Sequence, residues 1–180
     1  MQNRPIGILA TAIIGASLTS LARAQDSGQK MSPELKVLNR FVGQWEETVV
    51  QKPADWTPKR TTITAIGTRK WILNGRMIEN KGVWSPSKDE FLHLMTYDAE
   101  KGEYRQFYFD KDNPVPRDEI RGKWDEKTKT MTFKGEMANG VQSVVIDRFL
   151  DDDSFIWTLV ATDRAGKVVL DMEGKCVRKK

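Results

Sequence analysis

From residue 43 to its end, the chain consists of short segments of alternating apolar and polar residues, separated by turn residues at regular intervals. About ten strands with this spacing are typical of an antiparallel barrel or sandwich. The connections are short, which favours an up-and-down order, and a long meander avoids exposed edges by closing into a barrel. The predicted strands are Trp45–Lys52, Arg60–Leu73, Arg76–Trp84, Glu90–Tyr97, Glu103–Phe109, Asp118–Trp124, Thr130–Met137, Val141–Leu150, Phe155–Thr162 and Val168–Arg178.

Glycines and alternation add detail to the predicted strands. Asn74-Gly75 and Asn139-Gly140 favour the tight type I′ hairpin turn, because both residue types tolerate positive φ. Gly67 lies inside the second predicted strand and indicates a bend or a bulge. In the last strand, alternation places Val168 on the inward face. The run from residue 103 to 109 is aromatic on both faces, so alternation leaves its orientation open.

A short helix precedes the strands. Ser32 is a typical N-cap, Pro33 suits the first helical position, and Glu34 adds an acid to the first turn. Apolar residues then recur at helical spacing at Leu35, Leu38, Phe41 and Val42. The sequence predicts that Gly43 ends this helix, which caps one end of the barrel.

The first 24 residues have the layout of a secretory signal peptide. Arg4 gives a positive start, residues 6–21 are uncharged and apolar or small, and small residues surround Arg23. This pattern predicts cleavage between Ala24 and Gln25. Residues 25–31 read as a disordered polar lead-in, and residues 32–180 as the barrel domain. The prediction is therefore an exported protein, periplasmic or secreted, without a membrane span after processing.

Composition excludes several classes of protein. The 180 residues are 39% hydrophobic and 30% charged, which suits one globular domain. One cysteine and one histidine exclude a disulfide scaffold, and no cluster of metal ligands occurs, so neither a metal nor a cofactor is predicted. Removal of the signal peptide lowers the formal net charge from +4 to +2, and the remaining charges are interleaved, so no nucleic-acid partner is predicted.

Two residues at opposite ends of the predicted barrel sheet carry a first resemblance. Gly43-Gln44-Trp45 begins the first strand, and Arg178 ends the last. In a closed meander with an even number of strands, these two ends lie side by side, so Arg178 is expected over Trp45 in a cation–π contact. This barrel-end pair resembles that of the calycins, the lipocalin-like superfamily.

A second resemblance covers most of the mature chain. The residues that carry it are Leu38-Asn39-Arg40-Phe41-Val42-Gly43-Gln44-Trp45, Leu73-Asn74-Gly75-Arg76, Thr96-Tyr97-Asp98 with Tyr104, and Val177-Arg178. They are similar to the bacterial domain of unknown function 1579 family. The resemblance implies an exported calycin-like barrel, and it implies no activity or ligand.

Aromatic residues supply the candidates for a ligand cavity. Trp56 lies in a polar loop between Pro53 and Pro58, where it could gate the open end of the barrel or simply plug it. His93 shares a face with apolar neighbours, and a wall residue is favoured there over a haem ligand. Cys176 is read as a core residue, because a nucleophile needs a nearby base. The cavity candidates are Trp56, Trp84, His93, Tyr97, Tyr108 and Trp124.

The leading functional hypothesis is non-covalent binding of a small, mostly apolar molecule inside the barrel. The first alternative is a filled barrel that acts as a protein-interaction or stress-related module. The second is a cavity enzyme that uses carboxylates or tyrosine for acid–base chemistry. No catalytic residue is assigned, and a binder is favoured over an enzyme. The sequence indicates neither the ligand nor an oligomeric state.

Overall fold

The computed structural model describes residues 31–115, 120–137 and 140–180. Over these ranges the chain forms one short helix and ten antiparallel strands, which confirms the predicted all-β meander. The signal peptide, its cleavage site and all but the last residue of the lead-in lie outside the described residues. The elements are α1 (Pro33–Asn39), β1 (Gly43–Lys52), β2 (Thr61–Ile72), β3 (Met77–Ser85), β4 (Glu90–Asp98), β5 (Glu103–Asp110), β6 (Ile120–Asp125), β7 (Thr130–Met137), β8 (Val141–Phe149), β9 (Ser154–Thr162) and β10 (Val168–Arg178).

The strands close into a barrel in sequence order, and β1 pairs with β10 to complete the circle. The closing ladder runs from the Trp45–Arg178 pair to the Lys52–Asp171 pair without interruption. Closure satisfies the backbone groups of the first and last strands, so neither remains as an exposed edge. It also determines which residues of β1 and β10 lie at the same height along the barrel axis.

Helix α1 covers one end of the barrel. The Ser32 hydroxyl accepts a hydrogen bond from the backbone N–H of Leu35 at 3.3 Å, as expected of an N-cap. Leu38 and Phe41 enter the core and are almost fully buried. No helix within the described ranges has the length and apolar character needed to cross a membrane.

Two turns differ from their predicted form. Helix α1 ends at Asn39, and Gly43 begins β1 with a φ of +136°, so this glycine starts a strand rather than ending a helix. The loop between β2 and β3 spans residues 73–76, and Leu73, Asn74 and Gly75 all have positive φ. It is therefore a four-residue loop instead of the two-residue type I′ turn. Asn139 lies outside the described residues.

The strand irregularity occurs at a different place from the predicted one. Gly67 pairs in unbroken register with both Trp45 and Gly82, so it makes no bulge. A Cβ at Gly67 would lie 2.7 Å from Asn80 Oδ1, so the glycine makes room for this side chain. The register shifts instead between Val168 and Leu170. This shift leaves Val168 40% exposed, which makes its predicted inward orientation wrong.

Arg178 lies over the indole of Trp45 at the helix-covered end. Its guanidinium carbon is 4.2 Å from the ring centroid, and Trp45 is 1% exposed. The same guanidinium donates hydrogen bonds to the carbonyl oxygens of Val42 and Arg40, and to Asp152. Arg178 thus joins the end of β10 to the segment that links α1 to β1, by a cation–π contact and by hydrogen bonds.

We expect Arg178 and Trp45 to stabilise the fold jointly. In a double-mutant cycle with Arg178→Met and Trp45→Phe, urea unfolding should give a coupling free energy of about 0.5–2 kcal/mol, because the cation–π contact is partly desolvated. Arg148 lies exposed on β8 and serves as the control, so Arg148→Met combined with Trp45→Phe should be additive. Additivity in the Arg178 cycle would contradict the contact.

Candidate functional site

The barrel encloses a cavity of about 730 Å³ that opens at the end opposite helix α1. The mouth is formed by Trp56, by the end of β3 and the β3–β4 loop at residues 85–87 and 89, and by residues 113 and 115 after β5. Phe41 and Phe155 lie at the inner end of the cavity. The cavity therefore has a mouth at one end and an aromatic floor at the other.

Aromatic side chains line the part of the cavity nearest the mouth. Phe91 contacts Trp84 at a centroid distance of 5.0 Å and stacks on Tyr108 at 6.2 Å. The indole N–H of Trp84 donates to the Tyr108 hydroxyl at 3.3 Å, and burial raises the pKa of that hydroxyl to about 12. This wall is apolar, and its polar atoms are largely paired with each other.

Arg69 lies deeper, at the level of the aromatic floor. Its side chain enters from β2 and the residue is 7% exposed. The guanidinium carbon is 4.9 Å from the ring centroid of Phe155, 5.5 Å from that of Trp45 and 6.0 Å from that of Phe41. These rings stabilise the buried cation through their π faces, because each lies within the range of a cation–π contact.

The hydrogen-bonding groups of Arg69 are mostly unused. Its Nε and Nη1 atoms are buried and have no hydrogen-bond partner among the residues that the structure describes. Nη2 reaches the sulfur of Cys176, at 4.0 Å. Burial raises the pKa of the Cys176 thiol, so the sulfur is a neutral and weak acceptor. Arg69 therefore lines the cavity with unpaired donors.

Glu47 is held on β1 by the neighbouring strands. The indole N–H of Trp157 donates to Glu47 Oε1 at 2.6 Å. Trp157 reaches Glu47 by lying across Gly174 of β10, where a Cβ would be 2.2 Å from the indole nitrogen. Burial raises the pKa of Glu47, and Arg69 partly opposes this shift.

Asp147 projects into the same cavity from β8 and is 8% exposed. Burial raises its pKa to about 7, the positive charge of Arg69 lowers it, and the negative charge of Glu47 adds to the rise. Asp147 therefore changes its protonation state near neutral pH. The charge of Arg69 thus lowers the pKa of both carboxyl groups against the effect of burial.

Three uncharged polar groups complete this level of the barrel. Asn80 Oδ1, Gln106 Oε1 and His93 Nε2 are buried, and no described residue forms a hydrogen bond with them. Burial lowers the pKa of His93 to about 3, so the imidazole is neutral near pH 7. We give the name polar belt to six of the polar residues that line the cavity, namely Glu47, Arg69, Asn80, His93, Gln106 and Asp147.

Four of the six predicted cavity residues line the cavity, namely Trp56, Trp84, His93 and Tyr108. Tyr97 and Trp124 do not. Tyr97 packs against Tyr104, whose hydroxyl donates to a carbonyl of helix α1. Trp124 packs on Phe149 and lies beneath Arg40. Tyr97 and Trp124 therefore lie at the helix-covered end of the barrel.

Sequence reasoning missed five members of the polar belt, namely Glu47, Arg69, Asn80, Gln106 and Asp147. A signal for two of them was present, because side chains alternate along a strand. Glu47 follows Trp45 by two residues, and Arg69 follows Gly67 by two, so each shares the inward face of its strand. Charged residues at inward positions are expected to be functional or paired, since burial of a lone charge is costly. In the described residues, no group of three or more acids, cysteines or histidines is arranged to hold a metal ion.

The barrel and its cavity place this chain in the calycin, or lipocalin-like, class of folds. Two solved structures are similar to it. The S-type phycobiliprotein lyase CPES from Guillardia theta gives a TM-score of 0.57 at 13% identity, over 84% of this chain and 94% of the lyase. Rv2717c from M. tuberculosis gives a TM-score of 0.63 at 10% identity, over 84% of this chain and 100% of that protein. At these identities the likeness concerns the fold.

The family is shown by the sequence itself. The family model described as "Protein of unknown function (DUF1579)" matches residues 30–178, and the chain belongs to this family. This confirms the resemblance seen in the sequence motifs. A comparison with curated proteins gives no match.

We expect Trp56 to act as a gate. Its side chain lines the mouth yet Trp56 is 51% exposed, and its backbone N–H donates to the carbonyl of Val169 at 2.9 Å. Trp56→Ala should therefore lower stability by less than about 1 kcal/mol. Stopped-flow fluorescence with the neutral probe N-phenyl-1-naphthylamine should show faster entry and exit.

The control is Leu73→Ala, which removes another exposed apolar side chain from the loop between β2 and β3, at the other end of the barrel. It should leave the probe kinetics unchanged. If Trp56→Ala instead costs about 3–5 kcal/mol and leaves the kinetics unchanged, Trp56 is a plug.

Proposed function

We propose that this protein binds a small, mostly apolar molecule non-covalently inside its barrel. The observation that carries the proposal is the cavity of about 730 Å³ with its open mouth. Ligand pockets in proteins typically measure roughly 300–1,000 Å³ and combine apolar walls with a few placed polar groups. The aromatic wall at Trp84, Phe91 and Tyr108 and the polar belt below it have this composition.

The volume argues against the filled-barrel alternative. A barrel that served only as an interaction module would pack its interior with side chains, as it does below the belt around Phe41, Trp45 and Phe155. The phycobiliprotein lyase has a similar barrel, but at 13% identity it supports the fold and not a choice of ligand. The chemistry of the ligand has to come from the cavity itself.

An enzyme is the second candidate, because Glu47 and Asp147 both line the cavity and both have raised pKa values. A carboxyl that titrates near pH 7 suits general acid–base catalysis. Native mass spectrometry of the protein purified from its source organism separates the two candidates. A binder should retain one ligand of constant mass, whereas an enzyme should convert that ligand during incubation.

We expect a bulky side chain inside the cavity to abolish binding of an apolar probe. Met172 of β10 lines the cavity, and Lys175 of the same strand is exposed. Met172→Trp should weaken the binding of N-phenyl-1-naphthylamine at least about tenfold by occupying its volume, whereas Lys175→Trp should leave the affinity unchanged. Fluorescence titration measures both, and circular dichroism verifies that both variants fold. Equal affinities in the two variants would place the probe on the surface and contradict the proposal.

We further propose that the protein works outside the cytoplasm after removal of residues 1–24. The support is the sequence alone: a positive start, an uncharged apolar run and small residues before Gln25. This location would give the barrel access to molecules in the periplasm or the medium.

We expect the exported protein to begin at Gln25. N-terminal sequencing of protein from the periplasmic or secreted fraction measures this directly. Ala24→Leu should block processing, because the cleavage site requires a small residue there. Exported protein that still begins with Met1 would contradict the assignment.

A further inference from the structure

The polar belt contains more hydrogen-bonding capacity than the protein itself uses. Nε and Nη1 of Arg69 are buried without an acceptor in the described part of the chain, although buried N–H groups are nearly always paired. Among the described residues, neither Glu47 nor Asp147 lies close enough to Arg69 to form a salt bridge with it. The guanidinium is held in place from below by three aromatic rings. The unpaired N–H groups of Arg69 are therefore available to a molecule bound in the cavity.

We propose that the ligand is an amphipathic monocarboxylate whose carboxylate binds Arg69, beside Asp147, with its apolar body against Trp84, Phe91 and Tyr108. This proposal rests on the proposed binding function and names the class of ligand. A guanidinium presents its N–H groups as a planar fork, and a carboxylate matches this geometry with two oxygens. A neutral ligand would offer the unpaired N–H groups of Arg69 no charged acceptor.

The other polar groups of the belt are compatible with a bound carboxylate. Asn80 and Gln106 end in amides, which can turn their NH₂ groups toward an acceptor, and the neutral imidazole of His93 offers one N–H. Glu47 already accepts a hydrogen bond from Trp157. Each of these groups can therefore donate to the ligand or is occupied within the protein.

Charge in the cavity gives the proposal a pH dependence. The groups that face the belt are Glu47 from β1, Arg69 from β2, His93 from β4, Tyr108 from β5, Asp147 from β8 and Cys176 from β10. Burial keeps His93, Tyr108 and Cys176 neutral between pH 6 and 8. Asp147 loses its proton near pH 7, and its negative charge then opposes a bound carboxylate. Below that pH its O–H can donate to the ligand.

The test compares two probes with the same apolar body, cis-parinaric acid and its methyl ester, by fluorescence titration at pH 7. The acid should bind at least about tenfold more tightly than the ester, because only the acid forms charge-assisted hydrogen bonds with Arg69. Arg69→Met keeps a long side chain over the aromatic floor and should remove this preference, so that the acid and the ester bind with similar affinity. Arg148→Met removes the same charge from the exposed face of β8 and should leave the preference intact.

The pH profile of the wild-type protein gives a readout that needs no variant. The ratio of acid to ester affinity should rise several-fold from pH 8 to pH 6, and Asp147→Asn should flatten it. A ratio that is constant or that rises with pH contradicts the placement of the carboxylate beside Asp147. If Arg69→Met does not fold, Arg69→Lys takes its place and should lower the ratio, because it keeps the charge and loses the planar fork.

The two proposals fail in different ways. If N-phenyl-1-naphthylamine and the methyl ester both fail to bind, the cavity does not take apolar molecules and the proposed function is wrong. If both bind but the acid has no advantage over the ester, the binding function stands and the carboxylate inference is wrong. An advantage of the acid that survives in Arg69→Met also overturns the inference.

Discussion

The pairing of β1 with β10 is the interaction on which the other features depend. It closes the barrel, and its register brings residues from the two ends of the chain to the same level. Trp45 meets Arg178 at the helix-covered end, and Glu47 meets Cys176 one step further in. Arg69 then reaches across the interior to this Cys176. The floor and part of the polar belt are thus built from segments about 130 residues apart in sequence, which the closure of the barrel brings together.

The polar belt costs stability, and the aromatic floor offsets part of this cost. Unpaired buried donors cost free energy, and a desolvated cation–π contact returns about 2 kcal/mol or more. Asp147 and His93 also make the free energy of unfolding depend on pH, in opposite directions. Asp147 keeps a proton that the unfolded chain releases above its usual pKa of 3.8, so its contribution falls as pH rises toward 7. His93 lacks a proton that the unfolded chain binds below pH 6.5, so its contribution rises with pH up to that value. Such costs are expected where a site is kept for a ligand.

Alternation and turn residues were sufficient to predict the strand order, the closure and the Trp45–Arg178 contact, because these follow from repeated local patterns. Features that depend on neighbouring strands were not predictable in this way. Gly67 reads as a bulge in its own strand, yet it makes room for Asn80 of the next strand. Val168 alternates correctly with Leu170 until a register shift turns it outward. β5 is aromatic on both faces, and only its pairing with β4 places Tyr108 beside His93 and inside the cavity.

The layering of the interior determines how a ligand must enter. Leu38 and Phe41 fill the end beneath helix α1, so the cavity is reached from the opposite end, past Trp56. The apolar wall lies between this mouth and the polar belt, and the belt lies between the wall and the floor. A molecule that satisfies both regions must therefore insert its polar group first and leave its apolar body nearer the mouth. This order suits an amphipathic ligand, because the desolvation of its polar group is compensated only when that group reaches Arg69.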